Sequence, residues 1–140
     1  MLTVIVDSNI WISALLVSSG KSRELVARLA SGAFVLSYPT WLLDEIRKTS
    51  SKPRLSNRIQ AADVANIISL IEEQGILVEP TCLPSVSRDP KDDVFLACAL
   101  ESHADFIVTG DDDLLVLGEY HGTQIVTVSR FLEILTNATT

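Results

Sequence analysis

Leu2-Thr3-Val4-Ile5-Val6-Asp7-Ser8-Asn9-Ile10 decides the fold of this 140-residue chain. Its first five residues are rich in β-branched side chains and do not alternate with charge, as a central parallel strand covered on both faces requires. Asp7-Ser8-Asn9 offers three helix caps in a row, and Ile10-Trp11-Ile12-Ser13-Ala14-Leu15-Leu16 then reads as a short buried helix. A strand that runs directly into a helix begins an alternating β–α pattern, and the rest of the chain continues it. Ser18-Ser19-Gly20 breaks the first helix. Residues 22–30 form an amphipathic helix with Leu25, Val26, Leu29 and Ala30 on one face, stopped by Ser31-Gly32.

Phe34-Val35-Leu36-Ser37 is a second strand, and Pro39 suits the first turn of a helix that turns Leu42, Leu43 and Ile46 inward. Thr49-Ser50-Ser51-Lys52-Pro53 reads as a loop. Asn57 to Gln74 has the spacing of a long helix closed by Gly75, and Ile76-Leu77-Val78 is a third strand. After a Pro/Ser loop over 81–87, a helix is expected over 92–103, a strand over 106–109 and a fifth strand over 125–128. Ser129 to Leu135 closes as a capped helix, with residues 136–140 expected to fray. No repeat and no dividing linker interrupts this order. The whole of 1–140 is therefore read as a single α/β domain. Its expected architecture is a three-layer αβα sandwich around a central, mainly parallel sheet of about five strands.

Bulk properties narrow the function. Hydrophobic residues make up 47%, and no run approaches the roughly 18–20 apolar residues that span a bilayer. No basic segment precedes the first strand, which argues against a secretory signal. Cys82 and Cys98 lack metal-ligand spacing, and Cys98 sits among alanines and leucines as a small buried hydrophobe. A reducing cytoplasm fits best, with no membrane partner. The net charge of −7 opposes a non-specific nucleic-acid coat. Its distribution matters more, because eight of eleven basic residues lie between Lys21 and Arg58 and ten of eighteen acids between Glu79 and Glu119. An acidic pocket beside a basic flank can bind phosphate while the total charge stays negative.

Four acidic clusters stand where strands end or helices begin: Asp7, Asp44-Glu45, Asp89 with Asp92-Asp93, and Asp111-Asp112-Asp113. Each acid has an ordinary structural use. Asp7 caps a helix, Glu45 pairs on a solvated face, Asp89-Pro90 reads as cap and first turn, and Asp92 and Asp93 suit a helix dipole. Asp92 nevertheless shares a face with Phe95, Leu96 and Ala99, and Asp93 with Leu96, Ala97 and Leu100, so both look toward the packed side. Strand ends of a parallel sheet gather along one edge. Carboxylates gathered there repel unless a cation lies between them, and an oxygen-only donor set favours Mg²⁺ or Mn²⁺. A divalent-metal hydrolase site is the leading inference.

At these residues the chain resembles the PIN-domain nucleases, and within them the VapC-like toxin branch of prokaryotic type II toxin–antitoxin systems. The motifs that carry the resemblance are Val4-Ile5-Val6-Asp7-Ser8-Asn9-Ile10, Leu42-Leu43-Asp44-Glu45-Ile46, Arg88-Asp89-Pro90-Lys91-Asp92-Asp93-Val94-Phe95-Leu96-Ala97-Cys98-Ala99, and Ala104 through Leu115 with its Thr109-Gly110-Asp111-Asp112-Asp113. Their order and spacing run over nearly the whole chain. The resemblance implies an endoribonuclease that uses Mg²⁺ or Mn²⁺ bound by Asp7, Glu45, Asp92 and Asp111. Asp93 and Asp113 are secondary metal positions, Asn9 and Thr109 supporting ones, and Asp89 belongs to the motif without an assigned role. It also implies an RNA substrate, a cognate antitoxin and a homodimer.

Arg47, Lys48, Lys52, Arg54 and Arg58 follow Glu45 closely and are candidates for tracking RNA phosphates. Tyr38 and Trp41 could stack on unpaired bases, although core packing is the better expectation for Trp41. No histidine lies in the motifs, since His103 ends a helix and His121 stands apart. Two other classes compete. A receiver- or phosphatase-like phosphoacceptor would use Asp7, but it wants an acid at position 9 or a lysine after a late strand, and the chain has Asn9 and Asp111. A non-catalytic protein-binding module would have no use for the full set of acids.

Overall fold

The computed structural model describes residues 1–80 and 90–138. The expected loop over 81–87, Cys82 and Asp89 lie outside these. In chain order the elements are β1 (Thr3–Val6), α1 (Ser8–Leu16), α2 (Lys21–Ala30), β2 (Val35–Tyr38), α3 (Thr40–Ser50), α4 (Pro53–Ser56), α5 (Ala61–Gln74), β3 (Gly75–Leu77), α6 (Pro90–Ser102), β4 (Phe106–Val108), α7 (Asp112–Leu115), β5 (Glu119–Tyr120), β6 (Thr123–Val126) and α8 (Val128–Ala138). Six strands form one sheet in the order β3-β2-β1-β4-β6-β5. Five run parallel, as expected, and the sixth is the added two-residue β5, antiparallel to β6.

This order positions the site. The chain steps outward from β1 to β2 to β3, then returns through α6 to β4 on the other side of β1. Right-handed crossovers in opposite directions put their helices on opposite faces of the sheet. Accordingly α6 packs across β1, β2 and β4, whereas α1, α2, α3, α5 and α8 pack on one another. The order of strand addition reverses between the parallel neighbours β1 and β4, and in open α/β sheets such a switch point leaves a crevice at the carboxyl edge. Val6 pairs with Val108, and the amide of Asp7 donates to the Val108 carbonyl at 3.0 Å. Asp7 and Thr109 are thus the first residues past the end of two neighbouring strands.

Local chemistry explains the helices on either side. Asp7 caps α1, its Oδ1 accepting from the Asn9 amide at 3.2 Å. Because Ile10, Trp11, Ile12, Ala14 and Leu15 are all buried, α1 is apolar on nearly every side, as a central helix must be. The Trp11 indole N–H meets the Val6 carbonyl at 3.3 Å, so the large ring is buried without an unmet donor. Phe131 of α8 packs edge-on against Phe34 at 5.2 Å and ties the last helix to the core. Fully burying such a side chain contributes roughly 2–3 kcal/mol. Cys98, buried in α6, has its thiol pushed up to about 12 by burial and, less, by the charge of Glu79.

Several expected boundaries move. Thr49 and Ser50 belong to α3, because their hydroxyls bond back to the helix, Thr49 to Glu45 Oε1 at 3.3 Å and Ser50 to the Arg47 carbonyl at 3.1 Å. Pro53 starts α4 rather than closing a loop, and α5 begins at Ala61 instead of Asn57, although Ile59 is still buried. Residues 136–138 stay helical, with the Thr136 hydroxyl on the Leu132 carbonyl and Leu135 in the core. His103 ends α6 as a left-handed residue at φ 53°, where the Ala104 amide reaches back to the Ala99 carbonyl at 3.0 Å. It fills the turn position that Gly32 holds after α2.

Candidate active site

The carboxylates of Asp7, Asp92 and Asp111 converge, each offering an oxygen within 4.8 Å of the others. Among the described residues they are the one group of three or more acidic, histidine or cysteine side chains so placed. Three separate elements bring them together. Asp7 ends β1, Asp111 caps α7 two residues past Thr109 at the end of β4, and Asp92 stands in the first turn of α6. Asp92 is buried beside Phe95, Leu96 and Ala99, in agreement with the helical spacing.

Asp7 is 3% exposed and Asp92 2%, while Asp111 is half-buried. Donors hold Asp7 on both oxygens. Oδ1 accepts from the Ser8 hydroxyl at 3.3 Å and the Asn9 amide at 3.2 Å, and Oδ2 from the Thr109 hydroxyl at 2.7 Å. The Asp111 amide in turn donates to Thr109 Oγ1 at 3.0 Å, and Asp111 Oδ1 accepts from the Asp113 amide at 2.9 Å. Ser8, read from sequence only as a cap, is therefore a direct support of Asp7.

The other expected residues fall around this group. Glu45 is half-buried on α3, accepts from Thr49, and lies outside the 4.8 Å cluster. Asp93 is buried but is not among the converging three, and Asp113 contributes its backbone amide to Asp111. Asn9 is exposed and acts on Asp7 through its amide. Arg47, Lys48, Lys52, Arg54 and Arg58 are all exposed, Arg47 in a loose pair with Asp44 at 3.8 Å. Tyr38 is a core residue at 5% exposure, its phenol raised by burial and by the Glu72 charge, so it is not a base-stacking surface. Trp41 packs edge-on against Phe95 at 5.5 Å.

The donor set suits a hard divalent cation. Three carboxylates close together in a mostly buried pocket repel one another, and a cation among them offsets that repulsion. Carboxylate oxygen without sulfur or imidazole is the chemistry of Mg²⁺ and Mn²⁺ sites.

Residues 3–113 match the family model described as the PIN domain, and the chain belongs to that family, a class of nucleases. Uncharacterized protein MJ1680 of Methanocaldococcus jannaschii is 28% identical over 115 residues, 81% of this chain and 74% of that protein. Two solved structures share the fold. VapBC2 from Rickettsia felis, bound to a DNA fragment from its promoter, superposes with a TM-score of 0.62 at 11% identity, covering 90% of this chain and 98% of that one. PAE2754 from Pyrobaculum aerophilum gives 0.62 at 18% identity, covering 97% and 90%. Among the described residues, no helix is long and apolar enough to cross a membrane.

Proposed function

We propose that this chain is an endoribonuclease that hydrolyses RNA phosphodiester bonds with Mg²⁺ or Mn²⁺, and that it serves as the toxin of a toxin–antitoxin pair. The convergence of Asp7, Asp92 and Asp111 carries the reading. These three acids are the metal-holding and catalytic side chains in this reading, with Glu45 of α3 as the fourth and Asp93 and Asp113 as secondary ligands. When bound, the cation supplies Lewis acidity, both to a water and to the charge that builds on the phosphate. Ser8, Asn9 and Thr109 orient Asp7, and fixed first ligands of this kind are what a preorganised site needs.

His103 and His121 are not among the converging groups, so proton transfer falls to water and carboxylates. Arg47, Lys48, Lys52, Arg54 and Arg58 form the phosphate-tracking flank beside Glu45. The toxin role rests on the sequence resemblance, and the VapBC2 neighbour supports it; a cognate antitoxin, a homodimer and a cytoplasmic location go with it.

Cleavage of labelled single-stranded RNA tests the reading, with Mg²⁺, Mn²⁺ or chelator, in wild type, Asp7→Asn and Asp92→Asn. Cutting that needs metal and is lost in both variants is expected. Cutting that persists in chelator, or at full rate in either variant, would overturn it.

A further inference from the structure

A groove of about 310 Å³ opens where the end of α3, the short α4 and the start of α5 meet; Arg47, Ser50, Ser56, Ile59, Ala61 and Val64 line it. Its floor is apolar, since Ile59 is 6% exposed and Val64 half-buried. Its surroundings are strongly cationic. Arg47, Lys48, Lys52, Arg54 and Arg58 fall in a stretch that holds no acid, in a chain whose net charge is −7. In sequence the flanking acids are Asp44 and Glu45 before this stretch and Asp63 after it. Asp44 meets Arg47 at 3.8 Å with both side chains more than half exposed, and Asp63 sits in the first turn of α5.

We infer that this groove receives one unpaired base of a single-stranded RNA substrate and so sets which phosphodiester reaches the acids. The inference rests on the ribonuclease reading above. An apolar floor suits the face of a base, and flanking guanidinium and ammonium groups suit the phosphates on either side of it. The Ser50 hydroxyl already donates to the Arg47 carbonyl, which leaves its oxygen as an acceptor for a base amino group or a 2′-hydroxyl. Duplex RNA cannot present such a base without unpairing it. The groove lies on the far side of α3 from Glu45, since Arg47 and Ser50 are turned roughly 160° and 140° from it about the helix axis. Arg47 and Ser50 lie on the same helix as Glu45, roughly 3 Å and 8 Å further along its axis. A base held there anchors a strand that passes around α3 to reach Glu45.

The test compares wild type, Ala61→Trp, which fills the groove from an exposed position, Arg47→Ala, and Arg130→Ala on α8 as a remote control. Anisotropy of a labelled single-stranded RNA is followed in chelator over a range of salt, so that binding is read without cutting. Cleavage of the same RNA is then mapped in Mn²⁺. Ala61→Trp should bind roughly tenfold more weakly, with its salt dependence unchanged and its cleavage position shifted. Arg47→Ala should lower the slope of log affinity against log salt by about one. Arg130→Ala should follow wild type. Unchanged affinity and cleavage position in both groove variants, while wild type cuts, overturns the groove and leaves the nuclease standing. These binding signatures in a protein that never cuts would retain the groove and sink the ribonuclease reading. Loss of a protein partner in Ala61→Trp with RNA affinity intact also overturns the proposal.

Discussion

Thr109 Oγ1 donates to Asp7 Oδ2 at 2.7 Å across 102 residues of sequence, and the same hydroxyl oxygen accepts the Asp111 amide at 3.0 Å. One side chain, 0% exposed, therefore connects the acid after β1 to the acid after β4. Thr109→Val keeps the shape and removes the hydroxyl. It should destabilise the protein by about 1–3 kcal/mol, the cost of leaving a buried acceptor unmet. Metal-dependent cleavage should fall roughly 10–100-fold, as when a ligand's supporting partner is lost. Denaturant melts and cleavage rates on the same samples check both; an unchanged rate would show that Asp7 keeps its orientation without Thr109.

Asp7→Asn separates folding from cation binding. Asparagine caps helices as well as aspartate does, so the Asn9 amide keeps its partner and stability in chelator should change by less than about 1 kcal/mol. Wild type at a cation concentration of about 100 times Kd should gain roughly 2.7 kcal/mol, since ligand bound only by the native state stabilises it. For a domain of this size that is about 8–10 °C in Tm. The variant should show little of this rise. Calorimetric scans with and without Mn²⁺ decide it, and equal rises in the two proteins would remove Asp7 from the ligand set.

Glu79 gives α3 the cap that Pro39 cannot. Its carboxylate accepts the Thr40 amide at 2.7 Å, and α3 has no side-chain cap of its own. Hydrogen bonds from Thr40, side chain first and backbone second, hold its pKa below the ordinary 4.5. A lowered folded-state pKa means that the native state favours the charged carboxylate. Its contribution is present above pH 4.5 and is lost as pH falls through the lower folded value. Glu79→Gln should therefore be less stable than wild type at pH 7, with the difference closing below that range. Urea melts across pH read the convergence; a gap that stays constant down to low pH would assign the effect to shape instead of charge.

Gly75 joins α5 to β3 without a loop, and crowding rather than backbone conformation selects glycine there. A Cβ would stand 2.5 Å from the Ile71 carbonyl oxygen and 2.7 Å from the Tyr38 ring. Both neighbours are fixed, one as helix backbone and the other as a buried ring. Gly75→Ala should cost about 1–3 kcal/mol by overpacking, measurable as a lower denaturant midpoint. A neutral result would mean that the α5–β3 junction can move.

The elements most legible in the sequence were those governed by local periodicity. The β-branched run at Thr3–Val6, the apolar α1 and the inward Leu42, Leu43 and Ile46 of α3 each follow from neighbours within a turn or a strand. Less legible were features in which a polar residue satisfies itself unexpectedly. Thr49 and Ser50 read as loop but bond to their own helix, and His121-Gly122 turns β5 into β6 with both residues at positive φ, of which only Gly122 announces it. The turn pairs Tyr120 with Thr123, so a strand of two residues went unseen.

For the site, the sequence supplied the candidate acids and the helical face of Asp92, because helical spacing is a local property. Which carboxylates meet is a long-range matter. It depends on β1 and β4 being neighbours at the reversal of strand order, on α6 delivering Asp92 to the same edge, and on Thr109 linking two strand ends. The cap that Glu79 gives α3 has the same origin, 39 residues from its partner in sequence. Chain-local interactions set what each segment could become, whereas the packing of distant segments decided which charges lie within reach of one ion.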